Sequence, residues 1–185
     1  MKKAVKIITA FFLTKDYMKT LLLTLLFLFL SATSYYLDIW FNITPSIPQG
    51  IYRLSKNENE IKNDSIILFC LNNKYAEIAK DRKYISAGKC RKGLSPIGKH
   101  VIASYPDKVK INNNGIYING KLVKNTRPLP QDKEGRNLIH TELYKTLKQD
   151  EFIVASSKED SFDSRYYGII ERKDIEGKLK EILVF

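Results

Sequence analysis

Ser46 sits between Pro45 and Pro48 in the stretch NITPSIPQGIY, residues 42–52, just after the longest apolar run in the chain. A serine hydroxyl is a poor nucleophile until a base takes its proton. The sequence offers two imidazoles for that task, His100 and His140. A Ser-His-Asp arrangement is open in principle, but no GxSxG elbow or other local frame accompanies it. The alternative base is a lysine. A lysine amine titrates near ~10.4 in water, and must be desolvated until its pKa falls to roughly 7–8 before it can act as a base. That shift is about three units, or ~4 kcal/mol of differential solvation, within reach of a buried site. Most lysines here sit among polar neighbours, whereas Lys99 opens the apolar segment KHVIAS. In a strand Lys99 and His100 point to opposite faces, so only one can enter a given site. Composition alone also fits Lys99 as a surface residue with its stem laid along apolar neighbours.

A third polar cluster is SFDSRYYG, Ser161 to Gly168. If this segment is extended, Ser161, Asp163 and Arg165 share one side. Asp163 and Arg165 could then pair, and Ser161 could hydrogen-bond a neutral lysine amine. An ordinary polar turn before a glycine reads the same way.

These residues need a scaffold, and the pattern behind residue 42 favours strands. Ser65–Cys70 (SIILFC) is a short apolar run suited to a buried strand. KHVIAS, residues 99–104, has β-branched residues at its centre. VKINNNGIYINGKLV reads as a meander with strands at 109–111, 116–118 and 121–123, its Asn119-Gly120 pair forming a tight hairpin turn. Residues 152–155 and 182–185 look like further strands, and 74–83 like a short helix. The polar stretch 131–150 has only Leu138, Ile139, Leu143 and Leu147 to anchor it, which predicts a surface loop with a helical turn. One mainly β domain is the simplest architecture, and 185 residues with 44% hydrophobic content suffice for a real core.

Thr20–Leu37 carries no charge over 18 residues. As a helix it would span about 27 Å, close to the ~30 Å hydrocarbon core of a bilayer. Tyr35, Tyr36 and Trp40 follow it, as in an interfacial aromatic belt. Lys2, Lys3, Lys6, Lys15 and Lys19 against Asp16 give the first 19 residues a net +4. That predicts a cytoplasmic N-terminus (1–19), a transmembrane anchor (20–41) and an exported domain (42–185). The run Ile7–Leu13 is too short to span and suits the interface. A cleaved signal peptide with its apolar region at 21–30 is the competing reading. Of the formal charge of +11, +7 belongs to the remainder. Lys, Asn and Ile are abundant throughout, so the excess reads as compositional habit rather than a nucleic-acid footprint. The sequence shows no metal or cofactor motif. In an exported domain Cys70 and Cys90 are candidates for a disulfide, with two buried free thiols as the alternative.

Taken together, TPSIPQGIYR, GKCRKGLSPIGKHVIA leading into DKVKI, and SFDSRYYG resemble the signal peptidase I clan of Ser-Lys serine peptidases. The likeness runs from about Asn42 onward and is nearest to the conjugative-transfer branch, the TraF-type pilin-maturation peptidases. The resemblance implies a coiled, mostly antiparallel β-sheet domain. It implies Ser46 as nucleophile, Lys99 as general base and Ser161 as the group orienting the lysine. Asp163 and Arg165 would be the supporting ion pair. The Ser46 N–H and the Thr44 hydroxyl would form the oxyanion hole, where such donors are typically worth ~3–4 kcal/mol in the transition state. Cys70 and Cys90 fall where this branch often carries cysteines, which implies a structural disulfide.

By the same resemblance the substrate is an exported pilin-like or signal-peptide-bearing precursor. It would be cut at the surface of the bacterial inner membrane, without a cofactor and without nucleic acid. For some of the branch the product is closed into a ring. The departures are Ile47 where Met is common, His100 after the lysine where Arg is frequent, and YPD for a Pro-Gly-Asp turn. ASSKED stands before the third motif, where general leader peptidases have Gly-Asp-Asn. That difference points away from a general leader peptidase, the nearest enzymatic alternative. A catalytically silent assembly factor with the same fold is the alternative of another class.

Overall fold

The computed structural model describes residues 2–56 and 60–185, with backbone alone for residues 2–15. The chain separates into two compact units, residues 1–39 and 40–185.

The first unit is dominated by helix α1, Lys2–Tyr36. Its segment Asp16–Tyr36 is long and apolar enough to cross a membrane, and none of it is buried within the protein. Leu22, Phe27 and Phe29 stand more than two-thirds exposed, an arrangement water disfavours and a lipid environment accommodates. Thr20, Thr24 and Thr33 return their hydroxyls to the carbonyls four residues earlier, so these three hydroxyls are satisfied within the helix. The helix ends at Tyr36, and strand β1, Ile39–Asn42, follows. The last residues of the 20–41 segment are therefore strand rather than span. The side chains of Ile7–Leu13 lie outside the described residues.

The second unit is mainly β. A seven-stranded sheet has the order β1-β2-β11-β3-β4-β9-β10, with β2 Gly50–Ser55, β3 Ile66–Phe69, β4 Ile97–Ala103, β9 Glu151–Ala155, β10 Ile170–Glu171 and β11 Ile175–Val184. A four-stranded sheet has the order β7-β6-β5-β8, with β5 Lys108–Asn112, β6 Gly115–Ile118, β7 Lys121–Leu122 and β8 Leu143–Thr146. The pairings described are antiparallel. Asn119 and Gly120 both take positive φ, 50° and 83°, as the hairpin between β6 and β7 requires.

Three apolar clusters hold the unit together. One packs Ile67, Phe69, Val101 and Val154 against helix α2, Tyr75–Asp81, through Ala76 and Ala79. A second joins the two sheets through Ala103, Val109, Ile116 and Ile153. The third gathers Ile47, Tyr52, Leu68 and Leu179 beneath the Ser46 segment.

Two expectations change. The 131–150 stretch contains no helical turn: Leu143–Thr146 is strand β8, and a bridge between Gln131 and Asn137 closes a small loop. Pairing with β5 captures this segment, because Leu143 falls opposite Ile111 and Leu147 is buried beside it. The segment Ser161–Gly168 is not extended throughout, since Ser164–Tyr167 forms a single helical turn, α3. Asp163 caps that turn, its carboxylate accepting the Arg165 N–H.

Cys70 and Cys90 are joined in a disulfide. It ties the end of β3 to the loop before β4, where Glu77–Lys92 and Glu176–Lys89 ion pairs add surface contacts. The bond closes a loop with a sequence separation of 20. Cys70→Ser with Cys90→Ser should therefore lower stability by about 3 kcal/mol on the chain-entropy account. Urea unfolding of the full-length protein in detergent, followed by Trp40 fluorescence, measures this; an unchanged midpoint would show that the crosslink contributes nothing.

Candidate active site

The Ser46 segment leaves β1 and turns back into β2, and its shape is set by three side chains. Asn42 is buried at 7% exposure and donates Nδ2 to the carbonyls of Thr44, Ile47 and Pro48 at 2.8, 3.1 and 3.0 Å. Its Oδ1 accepts the Thr44 N–H and the Thr44 hydroxyl, at 3.2 and 2.7 Å. Gln49 donates to the Ile43 carbonyl, and the Tyr52 hydroxyl donates to that of Pro48. Pro45 and Pro48 narrow the backbone further. Next to the serine, Ile47 is buried in the third cluster against Gly98, where a Cβ would stand 3.0 Å from Ile47 Cδ1. A bare glycine on β4 is thus what lets Ile47 seat and holds the loop down.

Lys99 follows Gly98. It lies opposite Ile67 on β3 and is only 2% exposed, so the surface placement its composition allowed is not what forms. Its Nζ donates to Ser46 Oγ at 2.8 Å and to Ser161 Oγ at 2.7 Å. Burial disfavours the ammonium and lowers the Lys99 pKa to about 8; the carboxylate of Asp163 opposes this, and the guanidinium of Arg165 reinforces it. The depression is worth roughly 3 kcal/mol of differential solvation. His100, one residue on, takes the other face, where burial lowers its pKa against the pull of Glu181 and Asp64. Neither it nor His140 hydrogen-bonds Ser46.

Beneath the lysine, Asp163 and Arg165 are both fully buried and joined side on. Arg165 Nε donates to Asp163 Oδ1 at 2.8 Å and Nη2 to Oδ2 at 3.0 Å. The remaining donors of Arg165 reach the carbonyls of Glu159 and Lys158. The carboxylate also accepts the Ser156 N–H, and Ser164 Oγ accepts the Val154 N–H. Asp163 therefore ties the loop carrying Ser161 to Ser156 at the end of β9, and Arg165 ties the middle of that loop to the α3 turn.

Thr44 stands exposed beside the serine with its hydroxyl turned to Asn42. Among the described residues the Ser46 N–H donates to no backbone carbonyl. The serine and lysine open into a cleft of about 730 Å³. Ile43, Ile85 and Pro96 give it apolar wall; Leu129, Asp132 and Lys133 line its other side. Asp132 accepts from the Tyr84 hydroxyl and from Arg136 Nε. Burial would raise its pKa, but these bonds and the Arg136 N–H outweigh burial and hold it well below the carboxylate range. Among the described residues no group of His, Cys, Asp and Glu is arranged to hold a metal.

Sequence reasoning singled out Ser46, Lys99, Ser161, Asp163 and Arg165, and they meet in one place. It missed Asn42, Ser164 and the Leu129–Leu138 wall. Asn42 gave a usable signal, an amide four residues before a serine flanked by prolines; the wall gave none.

A family profile described as "Signal peptidase, peptidase S26" matches residues 13–184. The chain belongs to the signal peptidase S26 family. Within this family it is similar to the "Plasmid transfer protein TraF" of Escherichia coli, 30% identical over 161 residues that cover 85% of this chain and 89% of that one. A "Probable conjugal transfer protein TraF" of Sinorhizobium fredii is 28% identical over 173 residues, 90% of this chain and 91% of that one. Among solved structures, a signal peptidase I of Enterococcus faecalis aligns with 66% of this chain and 98% of its own at 16% identity and a TM-score of 0.36.

The Asp163–Arg165 pair makes a definite claim. Asp163→Asn keeps the shape and leaves a buried guanidinium without its counter-charge, so stability should fall by about 3–5 kcal/mol. Denaturant unfolding of the full-length S26 protein checks it, and a loss under ~1 kcal/mol would contradict a supporting ion pair.

Proposed function

We propose that this S26 member is a membrane-anchored serine endopeptidase with a Ser46-Lys99 dyad. It acts on an exported pilin-like precursor in conjugative transfer. The observation that carries the reading is the buried Lys99 amine, held 2.8 Å from one hydroxyl and 2.7 Å from another. With the amine neutral, the same short contact reverses: Ser46 donates its proton to the Nζ lone pair, and Ser161 keeps the amine aimed.

Ser46 Oγ then adds to the scissile carbonyl while Lys99 takes the proton. The Ser46 N–H, which among the described residues donates to no backbone carbonyl, then serves the developing oxyanion, and the Thr44 hydroxyl rotates from Asn42 Oδ1 to join it. Collapse expels the amine of the leaving peptide, which receives the proton from the Lys99 ammonium. The ester on Ser46 is released by water, giving a free carboxylate, or by a peptide amine, giving a closed ring. No cofactor enters either route.

The apolar helix supports an anchor, with the N-terminus cytoplasmic and the β unit on the other side of the bacterial inner membrane. The short path from Leu37 to Ser46 suits a precursor whose own apolar segment holds its bond near the bilayer. The names of the TraF relatives favour a conjugation substrate over general leader-peptide removal.

Ser46→Ala and Lys99→Ala should each stop processing of a co-expressed pilin precursor, read as intact mass, while far-UV circular dichroism stays unchanged. Normal processing by Ser46→Ala protein would sink the dyad. A mass lower than the hydrolysed product by one water would identify ring closure.

The pH dependence has a fixed sign. Lys99 must be neutral to act as base, so kcat/KM should climb tenfold per unit below about 8 and level off above it. A flat profile between pH 6 and 9 would argue against a lysine base.

A further inference from the structure

The segment from Leu129 to Leu138 has a second face. Both leucines line the Ser46 cleft, and both also line a separate cavity of about 1040 Å³. The ridge between the two is fixed: the Leu129 N–H donates to the Tyr166 hydroxyl at 3.0 Å, and the Leu138 N–H to the Pro130 carbonyl at 2.9 Å. Tyr166 itself borders the cleft. A chain leaving the cleft over this ridge enters the second cavity.

The lining of that cavity has a consistent chemistry. Lys124 and Arg127 are exposed on it, and no ion pair to either exists among the described residues. Asn125 and Asn137 add amides, and Glu159 is the one carboxylate among the lining residues. His140 contributes a ring nitrogen, Nε2, that is buried and has no hydrogen-bond partner. The nearest acid oxygen, on Glu142, lies 3.8 Å away, beyond hydrogen-bond reach. That nitrogen is closed to solvent, so the ring forms wall rather than an open ligand contact. The Ser46 cleft is mixed, with Asp132, Glu134 and Asp160 paired to Arg136 and Lys133 beside Lys83 and Lys158, whereas the second cavity has one carboxylate among its lining residues.

We propose that this cavity is an exosite for an acidic stretch of the precursor, at a distance from the bond cut at Ser46. Aspartate or glutamate side chains would meet Lys124 and Arg127. The apolar ridge passes the intervening residues from one cavity to the other. This inference rests on the peptidase reading for its purpose, though the binding itself does not require catalysis.

The test therefore begins with binding to Ser46→Ala protein in detergent. The probe is a fluorescein-labelled decapeptide amide of alternating Glu and Ala, with its Gln-for-Glu analogue as control, read by anisotropy. Lys124→Glu with Arg127→Glu should weaken the Glu peptide at least tenfold at low salt, and the Gln peptide should bind neither protein. Equal binding of the Glu peptide to both proteins would overturn the exosite, as would equal binding of both peptides.

In active protein, the charge-reversed variant should raise KM for a full-length precursor about tenfold. It should leave kcat unchanged, and leave turnover of a short peptide spanning only the cut unaffected. Binding that holds while the unsubstituted protein cleaves nothing would sink the peptidase reading and leave the exosite standing. Cleavage that holds with KM unmoved by the double variant would sink the exosite and leave the peptidase reading standing.

Discussion

A lysine amine removed from water is the constraint around which the β unit is organised. An ammonium in that position would be costly, and a neutral amine is tolerable only where hydroxyls give it partners. Lys99 has two, from opposite ends of the sequence: Ser46 before β2 and Ser161 after β9. The central strands β3, β4 and β9 supply the burial, with β4 carrying the lysine between them. Asp163 and Arg165 then settle a secondary problem. The loop that presents Ser161 is irregular and has no strand ladder to take its carbonyls, and one arginine satisfies two of them while its own charge is matched by the aspartate.

The two sides of the site are held by different physics. The Ser161 side relies on a buried ionic knot, whose geometry is directional and unforgiving. The Ser46 side relies on a neutral amide, Asn42, that gathers three carbonyls of one tight loop, backed by Ile47 in an apolar socket. A neutral fastening suits that side, because a fixed charge beside the serine would compete for the lysine proton. It also leaves the Thr44 hydroxyl with one bond, to Asn42 Oδ1, that can be exchanged for another acceptor while the Thr44 backbone stays held.

Much of this was legible in the sequence. Apolar runs marked β3, β4 and β9, and Asn119-Gly120 marked its hairpin, because those signals are local. The residues of the site were legible as types in order along the chain: a serine between prolines, a lysine opening an apolar strand, and an Asp-Ser-Arg cluster. What stayed hidden depends on partners far away. β8 looks polar on its own and becomes a strand only because β5 offers Ile111 to Leu143. The helical turn at Ser164–Tyr167 is too short to show a period. Its cap, Asp163, is also the partner of Arg165, a double duty that spacing alone does not reveal. The ridge from Leu129 to Leu138 reads as loop because its hold on Tyr166 is a backbone N–H, which every residue but proline possesses.

The strand that follows the serine, β2, pairs with β11 rather than with anything near it in the chain: Gly50 lies opposite Val184, and the Phe185 N–H donates to the Gln49 carbonyl. Ser46 is therefore made early and seated late. A ribosome that has synthesised the serine, the lysine and even the Ser161 loop has still not produced the edge that closes on Gln49. The loop that holds the serine is thus completed only once β11 has been made, although the serine itself precedes β2.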